Sequence, residues 1–100
     1  MARTVEVIHF RPKPDTDLEE FIREDKRVGQ EYTPKQPGFI DRESARNDNG
    51  DWVVIVHWED TASAEASMEL FPKDPTATRF IELMDPDTFS MIRFDVVFDS

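Results

Sequence analysis

No cysteine occurs in the 100 residues, which excludes disulfides, thiol redox chemistry, thiolate metal sites and a cysteine nucleophile. Basic residues are also scarce: 12 Lys and Arg stand against 22 Asp and Glu, a formal net charge of -10. Nucleic-acid affinity rests on Lys and Arg displacing counterions from phosphates, and the chain contains no basic run, so no nucleic-acid partner is expected. The acid excess reads as a solubilising surface. The longest aliphatic run, Val53 to Val56, is too short to cross a bilayer, so no membrane association is expected. The opening "MARTVEVIHF" enters a strand-like alternation at once, so a secretory signal is not expected and a cytoplasmic location is. What is present suffices for one packed core. With 38% of the residues hydrophobic and 11% aromatic, residues 1–100 read as a single domain.

"TVEVIHFR" predicts a β-strand, closed by "PKPD" because proline cannot continue a sheet ladder. "DTDLEEFIREDKRVGQEY" predicts an amphipathic helix, with Thr16 and Glu19 as a capping box and Leu18, Phe21, Ile22 and Val28 on the packed stripe. "FIDRESARN" and "WVVIVHW" predict two strands joined by a hairpin at Asn49-Gly50, the second the more apolar and hence central. Asp60 or Thr61 should cap a second helix, "TASAEASMELF", with Ala64, Met68 and Phe71 on one face. Pro72 and Pro75 interrupt it, a further helical piece carries Phe80, Ile81 and Met84, and "SMIRFDVVF" predicts the last strand. The order strand, helix, strand, strand, helix, strand is that of an α+β, ferredoxin-like βαββαβ fold: a four-stranded antiparallel sheet with helices on one face. Its first and third strands are expected at the centre, parallel to each other.

Period-two alternation sorts the strand residues into faces. Trp52, Val54, Val56 and Trp58, with Ile8 and Phe10 and with Ile92, Phe94, Val96 and Phe98, form the most apolar set and are expected under the helices. The opposite face then shows Val5, Val7 and His9, then Val53, Ile55 and His57, then Met91, Arg93, Asp95 and Val97. So many aliphatic residues on a bare sheet predict a homodimer closing face to face. His57 and Trp58, being adjacent in one strand, should point to opposite faces. His9 and His57 hold equivalent places in their strands and are expected side by side, with Arg93 and Asp95 on the next strand.

"VVIVHWEDTASAEASM", in which a strand ends in Trp and an acidic residue before a helix cap, resembles the antibiotic biosynthesis monooxygenase family. "KPDTDLEEF" at the first helix and "PGF" before the second strand fit the same family. The resemblance covers nearly the whole chain and implies the dimeric α/β-barrel superfamily, in which two ferredoxin-like protomers pair into a barrel. It implies one of several activities, among them cofactor-independent oxygenation of polycyclic aromatic molecules and haem degradation. Haem-degrading members carry an axial His on the second helix, and no His follows His57 here, so that activity is not expected.

The function implied is that of a small cofactor-independent monooxygenase acting on an aromatic or hydrophobic small molecule, with no cofactor. The alternative is a non-enzymatic dimer of the same fold that binds a small molecule or is purely structural. The candidate catalytic residues are His57 or His9 as base, with Tyr32 polarising a phenolic substrate. Trp52, Trp58, Phe80 and Met84 are the candidate walls, and Arg93 a candidate partner for an anionic group. Each has a plainer reading: the histidines as polar residues at the wet end of a dimer contact, Tyr32 as a capping aromatic, the walls as core, and Arg93 as the ion-pair partner of Asp95. Two histidines without a carboxylate at metal-motif spacing make an incomplete metal site, and no metal is expected.

Overall fold

The computed structural model describes residues 2–99. Strand β1 (Thr4–Pro12) is followed by helix α1 (Leu18–Glu31), the hairpin of β2 (Phe39–Arg46) and β3 (Trp52–Trp58), helices α2 (Thr61–Leu70) and α3 (Thr78–Leu83), and strand β4 (Met84–Asp95). The sheet order is β2-β3-β1-β4, and every neighbouring pair is antiparallel. This is the ferredoxin-like α+β fold, with one correction to the expected topology: the central pair, β1 and β3, runs antiparallel. The reason is geometric. The crossover through α1 returns the chain in the direction of β1, and the tight hairpin after β2 reverses it into β3.

Local chemistry sets the element ends. Asp17, not Thr16, caps α1: its carboxylate accepts the Glu19 N–H at 3.0 Å, while the Thr16 hydroxyl donates to the Lys13 carbonyl at 2.6 Å. The Asp60 carboxylate accepts the Ser63 N–H at 2.8 Å and starts α2. Gly38 turns with φ +82°, and a Cβ there would lie 2.2 Å from the Ser63 Oγ, so only glycine lets β2 begin this close to α2. Pro72 has no N–H to continue the α2 ladder. Two 3-10 turns, Phe71–Lys73 and Pro75–Ala77, bridge to α3.

Directly paired residues of a sheet share a face. Thr4, Glu6, Ile8 and Phe10 therefore lie beside Trp58, Val56, Val54 and Trp52 on the helix side. Phe21 of α1 sits fully buried over this face, with ring centroids 5.9 Å from Phe10, 4.8 Å from Trp52 and 5.1 Å from Phe80. Strand β4 presents the opposite face from the one expected. Arg93 pairs with Glu6 and Met91 with Ile8, so they face the helices, while Ile92 and Phe94 pair with Val7 and Val5 on the bare face and are 56% and 52% exposed. Val96 and Phe98 lie beyond the strand. A register break between His9 and Arg11, where Ser90 gives way to Asp85, lets β4 begin as early as Met84.

Because Phe21 touches three aromatic rings at zero exposure, Phe21→Ala should cost about 3–5 kcal/mol of unfolding free energy in urea titration. A loss under about 1 kcal/mol would show that this aromatic cluster does not hold the helix layer.

Candidate functional site

Helix α2 meets the sheet through small side chains, Ala64 and Ser67, and opposite them β3 offers Val54 and Val56. Short groups on both sides leave a gap. A cavity of about 60 Å³ lies there, between the sheet, α1 and the α2–α3 segment, walled by Trp58, Phe71, Phe80, Met84 and Phe89. Phe89 is 42% exposed and marks the mouth. The space admits a few waters, each needing about 10–15 Å³, whereas ligand pockets usually measure roughly 300–1,000 Å³.

Polar groups interrupt the apolar wall, Glu6, Tyr32 and Arg42 among them. Glu6 lies on the helix face between Thr4 and Ile8, its side chain 3% exposed; Arg93 Nε donates to its Oε2 at 2.8 Å and Trp58 Nε1 donates a long bond to its Oε1 at 3.4 Å. Tyr32 follows α1, and its hydroxyl donates to the Ser67 carbonyl at 2.6 Å. Burial pushes the Tyr32 phenol above its ordinary value, with the Ser67 hydroxyl acting the other way. Tyr32 is thus held as a neutral donor. Arg42 reaches the cavity from β2 and donates to Asp25 of α1 at 2.7 Å, a pair about nine-tenths buried. Gly29 makes room for it, since a Cβ there would stand 2.7 Å from Arg42 Nη1.

Of the residues singled out in the sequence, Tyr32, Trp58, Phe80 and Met84 line this cavity, and Arg93 stands behind Glu6. Trp52 is buried in the core beside Phe21 and borders an open groove of about 430 Å³ along α1 and β2. Its indole N–H has no partner among the described residues, and the Arg46 guanidinium lies 5.7 Å from its ring centroid. The two histidines are on the opposite face and apart. His57 pairs with Val5 and His9 with Val53, four residues along β1 and so about 13 Å, which corrects their expected adjacency. Antiparallel running of β1 and β3 is the cause: equivalent places in the two strands fall at opposite ends. Each histidine lies beside a carboxylate: His57 Nδ1 donates to Asp41 at 2.6 Å, and His9 Nε2 lies 3.3 Å from the Asp51 Oδ1 that Arg11 holds at 2.9 Å. Arg93 and Asp95 are likewise on the helix side, away from both. Among the described residues, no three or more His, Cys, Asp or Glu side chains are grouped to hold a metal ion.

The antibiotic biosynthesis monooxygenase family model matches residues 4–83. The chain belongs to that family. No curated protein matches it in sequence. Among solved structures it is similar to SnoaB, a cofactor-independent oxygenase from Streptomyces nogalater, with a TM-score of 0.79 at 20% identity over 99% of this chain and 97% of that one. A conserved protein from Methanosarcina mazei superposes with a TM-score of 0.70 at 18% identity, covering 95% of this chain and 93% of that one. At such identities these likenesses show the fold.

For this monooxygenase-family member, Glu6 is the site residue that sequence reasoning missed, although a signal existed. Period-two alternation puts Glu6 on the same face as Ile8 and Phe10, and a carboxylate on a core face is anomalous. Ser67 and Arg42 carried no comparable signal, because a serine in a small-residue helix and an arginine on a polar edge strand are both ordinary.

Tyr32 is the sole tyrosine, so its ionisation can be followed directly in the ultraviolet. It should titrate above about pH 10, the ordinary phenol value. Since the folded state holds this proton more tightly, its contribution to stability is present below that ordinary value and is lost as pH rises through the raised one. Tyr32→Phe should cost about 1 kcal/mol near neutrality and lack that alkaline loss. A midpoint at or below the ordinary value would contradict a buried, donating hydroxyl.

Proposed function

We propose that this member of the family is a small cofactor-independent monooxygenase acting on an aromatic or hydrophobic small molecule held between sheet and helices. The observation that carries the reading is the convergence of Glu6, the Tyr32 hydroxyl and the Trp58 indole N–H on an otherwise apolar cavity. The description of SnoaB as a cofactor-independent oxygenase supports the same reading. In this chemistry an electron-rich substrate supplies all the electrons. A base removes a proton from an activated ring methylene, and Tyr32, exchanging its bond to the Ser67 carbonyl, donates to the oxygen that gains charge. The substrate anion then reduces oxygen: the methylene becomes a carbonyl, and the second oxygen atom leaves as water. Trp58, Phe80 and Met84 form the walls. The cavity must widen to admit a ring, and the segment Phe71–Ala77, broken by two prolines between α2 and α3, is the part of the wall with the fewest helical bonds to give up.

The histidines face away from this cavity and serve the other face. There Val5, Val7, Val53, Ile55, Ile92 and Phe94 make an apolar surface, and the reading takes it as the contact of a cytoplasmic homodimer with His9 and His57 at its margins. Ile92→Asp should convert a dimer into a monomer in sedimentation equilibrium at micromolar concentration. A wild-type chain already monomeric there would contradict the assembly.

A second reading is a dimer that binds a hydrophobic molecule without transforming it. It is favoured by the cavity's volume of about 60 Å³ and by the bonds that already occupy both Glu6 oxygens. An oxygen electrode separates the two. With a panel of polycyclic phenols and anthrones, the enzyme reading expects catalysed uptake of one O2 per substrate. Quenching of Trp fluorescence without oxygen uptake would leave a binding protein, and neither signal with any compound would contradict the site itself.

A further inference from the structure

We infer that Glu6 is the proton acceptor of this cavity, a role that rests on reading the cavity as the substrate site. Among the described residues it is the one carboxylate on the cavity wall. The alternatives are elsewhere: both histidines lie on the far side of the sheet, and Asp25 is taken up by Arg42. Tyr32 is a donor, with its proton already committed to the Ser67 carbonyl.

Stability does not account for a carboxylate here. Burying an ion pair is offset by desolvation, and well-packed apolar residues of similar volume are often as stable or more so. Of the other residues on this face of β1, Ile8 and Phe10 are apolar, and the buried Thr4 hydroxyl is already bonded to Thr61. The pair instead holds a base in place. Arg93 grips Oε2 at 2.8 Å and fixes the plane of the carboxylate, while Oε1 has only the long 3.4 Å contact from Trp58. A carboxylate has about four lone-pair sites, so capacity remains on Oε1. In the step, a C–H bond of a ring methylene conjugated to a carbonyl breaks, and its proton goes to Oε1. The electron pair is delocalised onto the carbonyl oxygen, to which the Tyr32 hydroxyl donates once it turns away from the Ser67 carbonyl.

The proton step can be read without oxygen. Anthrone in deuterated buffer under argon exchanges its methylene hydrogens as the proton is removed and a deuteron returned, and proton NMR follows the loss of signal. The full-length chain should accelerate this exchange. Glu6→Gln should reduce the accelerated rate by about 100-fold or more, while its anthrone Kd, from Trp quenching, stays within about threefold. Exchange at the wild-type rate in Glu6→Gln, with binding intact, would overturn Glu6 as acceptor and leave the cavity reading standing. If the wild-type chain neither binds anthrone nor accelerates its exchange, the cavity reading falls and the acceptor role with it. Should Glu6→Gln fail to fold, Glu6→Asp carries the test. Shortening the carboxylate by one methylene should slow exchange at least tenfold with binding kept, and an unchanged rate would overturn the assignment.

Discussion

Glu6 and Arg93 face each other across β1 and β4, and much of the molecule is arranged by that contact. A buried carboxylate left alone would be strongly destabilising, by about 3–5 kcal/mol when its partner is removed, so β4 must turn Arg93 towards the helices. Strand periodicity then leaves β4 no freedom. Once Arg93 faces inward, Ile92 and Phe94 must face outward beside Val7 and Val5. One ion pair therefore decides the composition of both faces of the sheet. It puts charge beside the cavity and apolar side chains on the bare face.

The two faces also divide the ionisable residues. On the bare face each histidine lies beside an aspartate at an end of an apolar strip, Asp41 for His57 and, shared with Arg11, Asp51 for His9. On the helix face two ion pairs, Glu6 with Arg93 and Asp25 with Arg42, each link two elements of the fold. The second pair ties α1 to the edge strand β2, and Gly29 allows the approach. A site built on the helix face thus inherits fixed dipoles and an aromatic wall, with rigidity supplied by the Phe10, Phe21 and Phe80 cluster at its side. No helix among the described residues is long and apolar enough to cross a membrane.

Much of this was legible in the sequence. The element order, the break of the second helix at Pro72 and Pro75, and the opposite orientations of His57 and Trp58 all follow from periodicity and proline chemistry. Alternation shows which residues share a face but not which face is buried. In β1 and β3 the larger side chains decide the matter, because Phe10, Trp52 and Trp58 fill the space under the helices. In β4 the apolar set, Ile92 and Phe94, points away, because a charge elsewhere in the chain has to be paired. Such a contact, 87 positions apart, has no local signature. The mistaken pairing of the two histidines has a similar origin, since their separation depends on strand direction and not on either strand's pattern. The cavity was only half legible: Trp58, Phe80, Met84 and Tyr32 are prominent residues, but the gap comes from what is small, Ala64 and Ser67 against two valines.

The central claim is that a flat hydrophobic molecule is held between the sheet and its helices. It is tested most directly by a crystal structure of the chain grown with a polycyclic phenol. Rings should lie between Trp58 and Phe80, with a hydroxyl within hydrogen-bond reach of Tyr32 and Phe71–Ala77 displaced outward. Rings lying on the opposite face of the sheet against His9 or His57, with the cavity still closed at about 60 Å³, would contradict it.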